Sequence, residues 1–135
     1  MNKPKEINCS INLNINGPFY YGFEESAIKS IYTYSMTEKR EGIYGTDKLG
    51  NEITDLVLAN LEVIDASISK YLRRWVLSEL NQVNLSILRV ATYEILFEDT
   101  PKQIVVNEAL EFAKVYSDSS SKDFIHGVLD KIIKE

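Results

Sequence analysis

A chain of 135 residues, 44% hydrophobic and 26% charged, has room for one core or two small ones in contact. No run of about 18 apolar residues offers a membrane span, and the first residues lack the basic-then-apolar layout of a secretory signal. A single cysteine, Cys9, cannot close a disulfide within the chain, so the reducing cytoplasm is the expected location. The net charge of −5 argues against strong nucleic-acid binding by the chain alone, because phosphate affinity comes largely from counterion release; a local basic patch or a basic partner is still allowed.

Residues 1–22 form an arm distinct from the rest. Ile7, Cys9, Ile11, Leu13 and Ile15 alternate with Asn and Ser, the period of an extended strand, until Gly17-Pro18 ends it. One strand is not stable by itself. The segment is either a disordered arm or an edge that pairs outside this chain, as in a homodimer.

From Glu24 the period becomes helical. Ala27, Ile28, Ile31, Tyr32 and Ser35 share a face, and Glu24-Glu25 suit the positive end of a helix. Gly42, Gly45 and Gly50 mark a loop. Ile53, Leu56, Val57, Leu61, Ile64, Ile68, Tyr71 and Leu72 then step by threes and fours as one long amphipathic helix. Trp75, Leu77 and Leu80 suggest a short helix or turn.

Leu85 to Phe97 is apolar almost all round, as in a helix packed on several sides. Thr100-Pro101-Lys102-Gln103 offers a cap, a proline at the first helical position and a returning Gln. Ser120 with Asp123 offers a second box-like start, ahead of Phe124, Ile125, Val128, Leu129, Ile132 and Ile133. The fold class is all-α.

Groups that do chemistry are sparse. His126 is the only histidine and has no metal-ligand spacing around it, and the glycines lack the Lys-Ser/Thr of a phosphate loop. No catalytic constellation, metal site or cofactor is expected, so an enzyme is not the reading. Arg89 and Glu94 are charges on a helix expected to be buried. Such charges need partners, and Glu108 is the expected ion-pair partner of Arg89. Gly127 inside a helical pattern implies close approach of a neighbouring helix. Phe124 fits a core position by spacing, or an exposed platform for a base.

Three segments in order resemble one family. Residues Leu85 to Leu96, LSILRVATYEIL, resemble its "-ILR-A-YEL-" helix. Val105 to Lys114, VVNEALEFAK, resemble "V-INEA-E-AK", and Phe124 to Lys131, FIHGVLDK, resemble "FVNGVLDK". The chain is thereby identified as similar to the NusB family, over about Ile53 to Lys131. The resemblance implies two small helical bundles packed together, here about 23–72 and 75–135 within one domain 23–135, with the first bundle short of a helix. It also implies antitermination in ribosomal RNA transcription: a partnership with the ribosomal protein NusE, binding of a single-stranded boxA-like RNA, and contact with the transcription elongation complex. No methyltransferase domain, such as follows this module in some proteins, has room here.

The front of the chain departs from the family. Ala27-Ile28-Lys29-Ser30-Ile31-Tyr32 resembles its "A---LY" segment, but the family's preceding arginines are replaced by Phe19-Tyr20-Tyr21-Gly22-Phe23-Glu24-Glu25. Carboxylates repel phosphate, which weakens RNA affinity. The expected RNA-binding residues are Phe124 for stacking and Lys122, Lys29, Lys3 and Lys5 for phosphates. The alternative is a NusB-fold protein-interaction module that has lost RNA binding.

Overall fold

The computed structural model describes residues 22–38, 48–72 and 76–135. The alternating segment Ile7 to Ile15, Lys3, Lys5 and Trp75 lie outside the described residues. Among those described there are six α-helices and no strand: α1 (Gly22–Thr37), α2 (Lys48–Ala59), α3 (Leu61–Ser69), α4 (Gln82–Phe97), α5 (Lys102–Tyr116) and α6 (Ser119–Ile133), with a 3-10 turn at Leu77–Glu79 before α4.

The first helix buries Ala27, Ile28 and Ile31, the apolar face that its spacing dictates. Its second half carries Thr33, Ser35 and Thr37, whose hydroxyls donate to carbonyls four residues back. It ends where Glu38 adopts φ 60°, the left-handed closure usual after a helix and usually given to glycine.

The stripe from Ile53 to Leu72 is amphipathic as expected, with Ile53, Val57, Ile64, Ile68 and Leu72 buried. It is two helices rather than one. Asn60 breaks it, with φ −115° and its side-chain amide donating to the Leu56 carbonyl at 2.8 Å. The helix also starts earlier than the loop reading allowed. Gly50 is inside α2, its carbonyl accepting from buried Thr54.

Helix α4 is the hub. It contacts α1, α2, α3, α5 and α6, which explains why Leu85, Ile87, Leu88, Val90, Ala91, Tyr93 and Ile95 are all buried around its circumference. A continuous apolar cluster runs from Ala27 through these residues to Phe112, Leu129 and Ile132.

Four local expectations are corrected. Arg89 does not reach Glu108; its guanidinium makes two 2.9 Å bonds to the carboxylate of Asp65 in α3 and donates to Ser35 in α1. A planar fork prefers a bidentate carboxylate, and Asp65 offers one across the α3–α4 contact. Thr100 does not cap α5. The N-cap is Pro101, and the Thr100 hydroxyl turns to buried Glu94, because a desolvated carboxylate takes any donor in reach. Asp118, not Ser120, caps α6. Gly127 faces no neighbouring helix among the described residues: it is exposed, and a Cβ there would meet none of their atoms within 4 Å.

Candidate nucleic-acid interface

Three helix ends meet at one rim: the start of α4, the end of α5 and the start of α6. Asn81 caps α4, its side-chain oxygen accepting from the backbone N–H of Val83 at 2.7 Å and of Asn84 at 3.3 Å. Asn84 is itself buried, so both ends of its amide need partners. The nitrogen donates to the Ser121 hydroxyl at 2.8 Å, and the oxygen accepts from the Ser117 hydroxyl at 2.7 Å. One amide thus joins α4 to the end of α5 and the first turn of α6.

Asp118 accepts from the Ser121 backbone N–H at 2.8 Å and the Ser120 hydroxyl at 2.9 Å. The hydrogen bonds from Ser121 and Ser120 hold its carboxyl below the usual range. Two helix N-termini, with their partial positive charge, therefore border the same rim.

Beside this polar knot lies an open hollow of about 320 Å³ lined by Glu79, Leu80, Asn81, Asn84, Ser120, Ser121 and Phe124, with the Glu79 carboxylate the one charged group among these residues. Phe124 is half-buried, packed against the core and lining the hollow. Neither a sealed core residue nor a free ring, it has the exposure that a stacking platform needs.

A second hollow of similar volume sits between α1, α4 and α5, lined mainly by apolar atoms of Ile28, Tyr32, Val83, Phe112 and Tyr116. Tyr32 and Tyr116 are 37% and 43% exposed. Lys29 lies 5.4 Å from the centre of the Tyr116 ring, which is tilted 31° against Phe112 with ring centres 4.4 Å apart. Adjacent residues Val83 and Asn84 line different hollows, so the first turn of α4 forms a wall common to both.

The residues expected at an RNA site are not all together. Phe124 borders the polar hollow and Lys29 the apolar one. Lys122 is two positions before Phe124 on α6, a step of about 200° that sends the two side chains to opposite flanks. Sequence reasoning missed Asn81, Asn84, Ser117 and Ser121. Asn81 carried a readable signal, an Asn ahead of an apolar run; the others are joined only by tertiary contact. Among the described residues no group of His, Cys, Asp or Glu could hold a metal, and no helix is long and apolar enough to cross a membrane.

Comparison with known proteins places the geometry in context. Residues 25–134 match the model of the NusB family. The transcription antitermination protein NusB of Thermodesulfovibrio yellowstonii is 33% identical over 128 residues, 94% of this chain and 83% of that one. Other curated relatives are matched more strongly over a shorter stretch, and there the chain spans only about half of the relative's length, 56%. NusB of Thermotoga maritima superposes with a TM-score of 0.78 at 31% identity, covering 84% of this chain and 89% of that one. A structure of the antitermination factors NusB and NusE with double-stranded RNA superposes at 0.75 and 21% identity, covering 84% and 94%, and at that identity shows a shared fold.

Proposed function

The chain belongs to the NusB family, and from that premise we propose that it is a cytoplasmic transcription antitermination factor. It binds a boxA-like single-stranded RNA jointly with a basic ribosomal protein of the NusE type and carries no reaction of its own. The observation that carries this reading is the pair of hollows on either side of the first turn of α4, one apolar and ringed by tyrosines, the other polar and edged by Phe124.

Each hollow suits one partner. The apolar one offers a protein partner half-exposed aromatic rings, which are enriched where protein interfaces concentrate their affinity. The chain's net charge of −5 attracts a basic protein and speeds encounter. The polar hollow offers an unpaired base a ring to stack on, with the exposed side chain of Asn81 beside it. Because the chain is acidic, the basic partner supplies much of the attraction for phosphate. A protein of this fold is known from a structure with NusE and double-stranded RNA, which supports the joint arrangement of partner and RNA though not the single-stranded form of the RNA. Lys29 at the apolar hollow and Lys122 on the far flank of α6 meet phosphates away from the Phe124 hollow, and Lys3 and Lys5 are further phosphate contacts on this reading.

A salt titration of binding to a labelled boxA-like RNA, with and without the ribosomal protein, tests the reading. The expected result is micromolar or tighter affinity with the partner present, weakening steeply with salt. Phe124→Ala lowers that affinity about ten-fold or more while the protein stays folded. Absence of RNA binding even with the partner bound overturns the RNA half and leaves a protein-interaction module.

A further inference from the structure

Gly127 lies in the middle of α6, exposed, and nothing within the described fold calls for a glycine there. Its φ is not positive, and a Cβ would point into open space. A helical glycine is less stable than alanine at such a site, so the helix bears a penalty that no internal contact offsets.

Ser120, Phe124, Gly127 and Lys131 are separated by four, three and four residues, which aligns them along one face of α6. Ser120 and Phe124 border the polar hollow. Lys131 is exposed and has no ion pair among the described residues, whereas Lys70, Arg89, Lys114 and Lys134 are each matched to a carboxylate. The stripe therefore reads, from the hollow outward, as a ring, a bare stretch of helix backbone and an unneutralised cation.

We propose that Gly127 is the point at which the sugar-phosphate backbone of a bound single-stranded RNA passes closest to the protein, between a base on Phe124 and a phosphate at Lys131. This rests on the RNA-binding reading above and adds a residue to it. Missing side-chain bulk is what lets another backbone approach a helix closely. Phe124 to Lys131 spans about 10 Å of helix, and the strand lies along it without a methyl group to lift it off. His126, also exposed, points to another flank and takes no part.

The test compares Gly127→Ala with the parent protein, using a labelled boxA-like RNA in the presence of the ribosomal protein. Alanine raises Tm by about 2–4 °C, lowers RNA affinity about five-fold or more, and leaves affinity for the ribosomal protein alone unchanged. A more stable variant that binds RNA worse is something a purely structural role cannot produce. If Phe124→Ala weakens RNA binding and Gly127→Ala does not, the assignment of Gly127 falls while the RNA reading stands. If the parent protein binds no RNA at all, both fall. Loss of ribosomal-protein affinity overturns the assignment in favour of a protein contact, and a drop in Tm contradicts the open space around Gly127.

Discussion

The middle of α4 and its first turn belong to one helix but handle polar groups in opposite ways. At the middle, Arg89 is almost enclosed and its charge is neutralised by Asp65, while Leu88 and its neighbours are sealed in apolar contact. At the first turn, Asn81 accepts from backbone N–H groups of its own helix and Asn84 is satisfied by neutral hydroxyls at the ends of α5 and α6, and the rings nearby stay partly in water. The middle removes surface from solvent. The first turn holds surface in place without removing it, which is what a contact site requires.

Substitutions break this contrast in graded steps. The largest effect is expected for Leu88→Ala, about 3–4 kcal/mol of stability in a denaturant titration, because the side chain is fully enclosed and leaves a cavity. Asp65→Ala comes next. It strands a guanidinium whose side chain is only 13% exposed, and the cost is about 2–3 kcal/mol after allowing for the water that still reaches the pair. A loss indistinguishable from zero would show that Arg89 is held by Ser35 and solvent alone.

The smallest effect belongs to the rim. Asp118→Ala removes an exposed helix cap and lowers Tm only modestly. That effect depends on pH with a definite sign. The Asp118 carboxyl is held below its usual range by bonds from Ser121 and Ser120. Its contribution is therefore complete above about pH 4 and disappears as acid protonates the folded form. The Tm difference between parent and variant should narrow towards acid; a difference that widens would contradict the cap geometry.

The elements and the core were legible because burial leaves a period in the sequence. Ile53, Val57, Ile64 and Ile68 announce a buried stripe by spacing alone, and all four are buried. The break at Asn60 was not legible, since a single residue out of helical conformation leaves the stripe in phase on both sides. Arg89 shows the limit of charge reasoning. Its need for a partner follows from the apolar residues around it, but which carboxylate answers depends on how α3 lies across α4. Thr100 teaches the same lesson, drawn from a local cap to a buried carboxylate six residues earlier. At the site, Phe124 was readable as a ring that suits either core or contact; the amide and hydroxyls that frame its hollow come from three helices and have no common sequence mark.

The Arg89 guanidinium ties α4 to α3 through Asp65 and to α1 through Ser35. Tyr32 on α1 and Phe124 on α6 thus project from helices anchored to one hub before any ligand arrives. Such a receptor is preorganised: little of its own freedom is surrendered on association, and the ordering entropy falls on the incoming strand and partner.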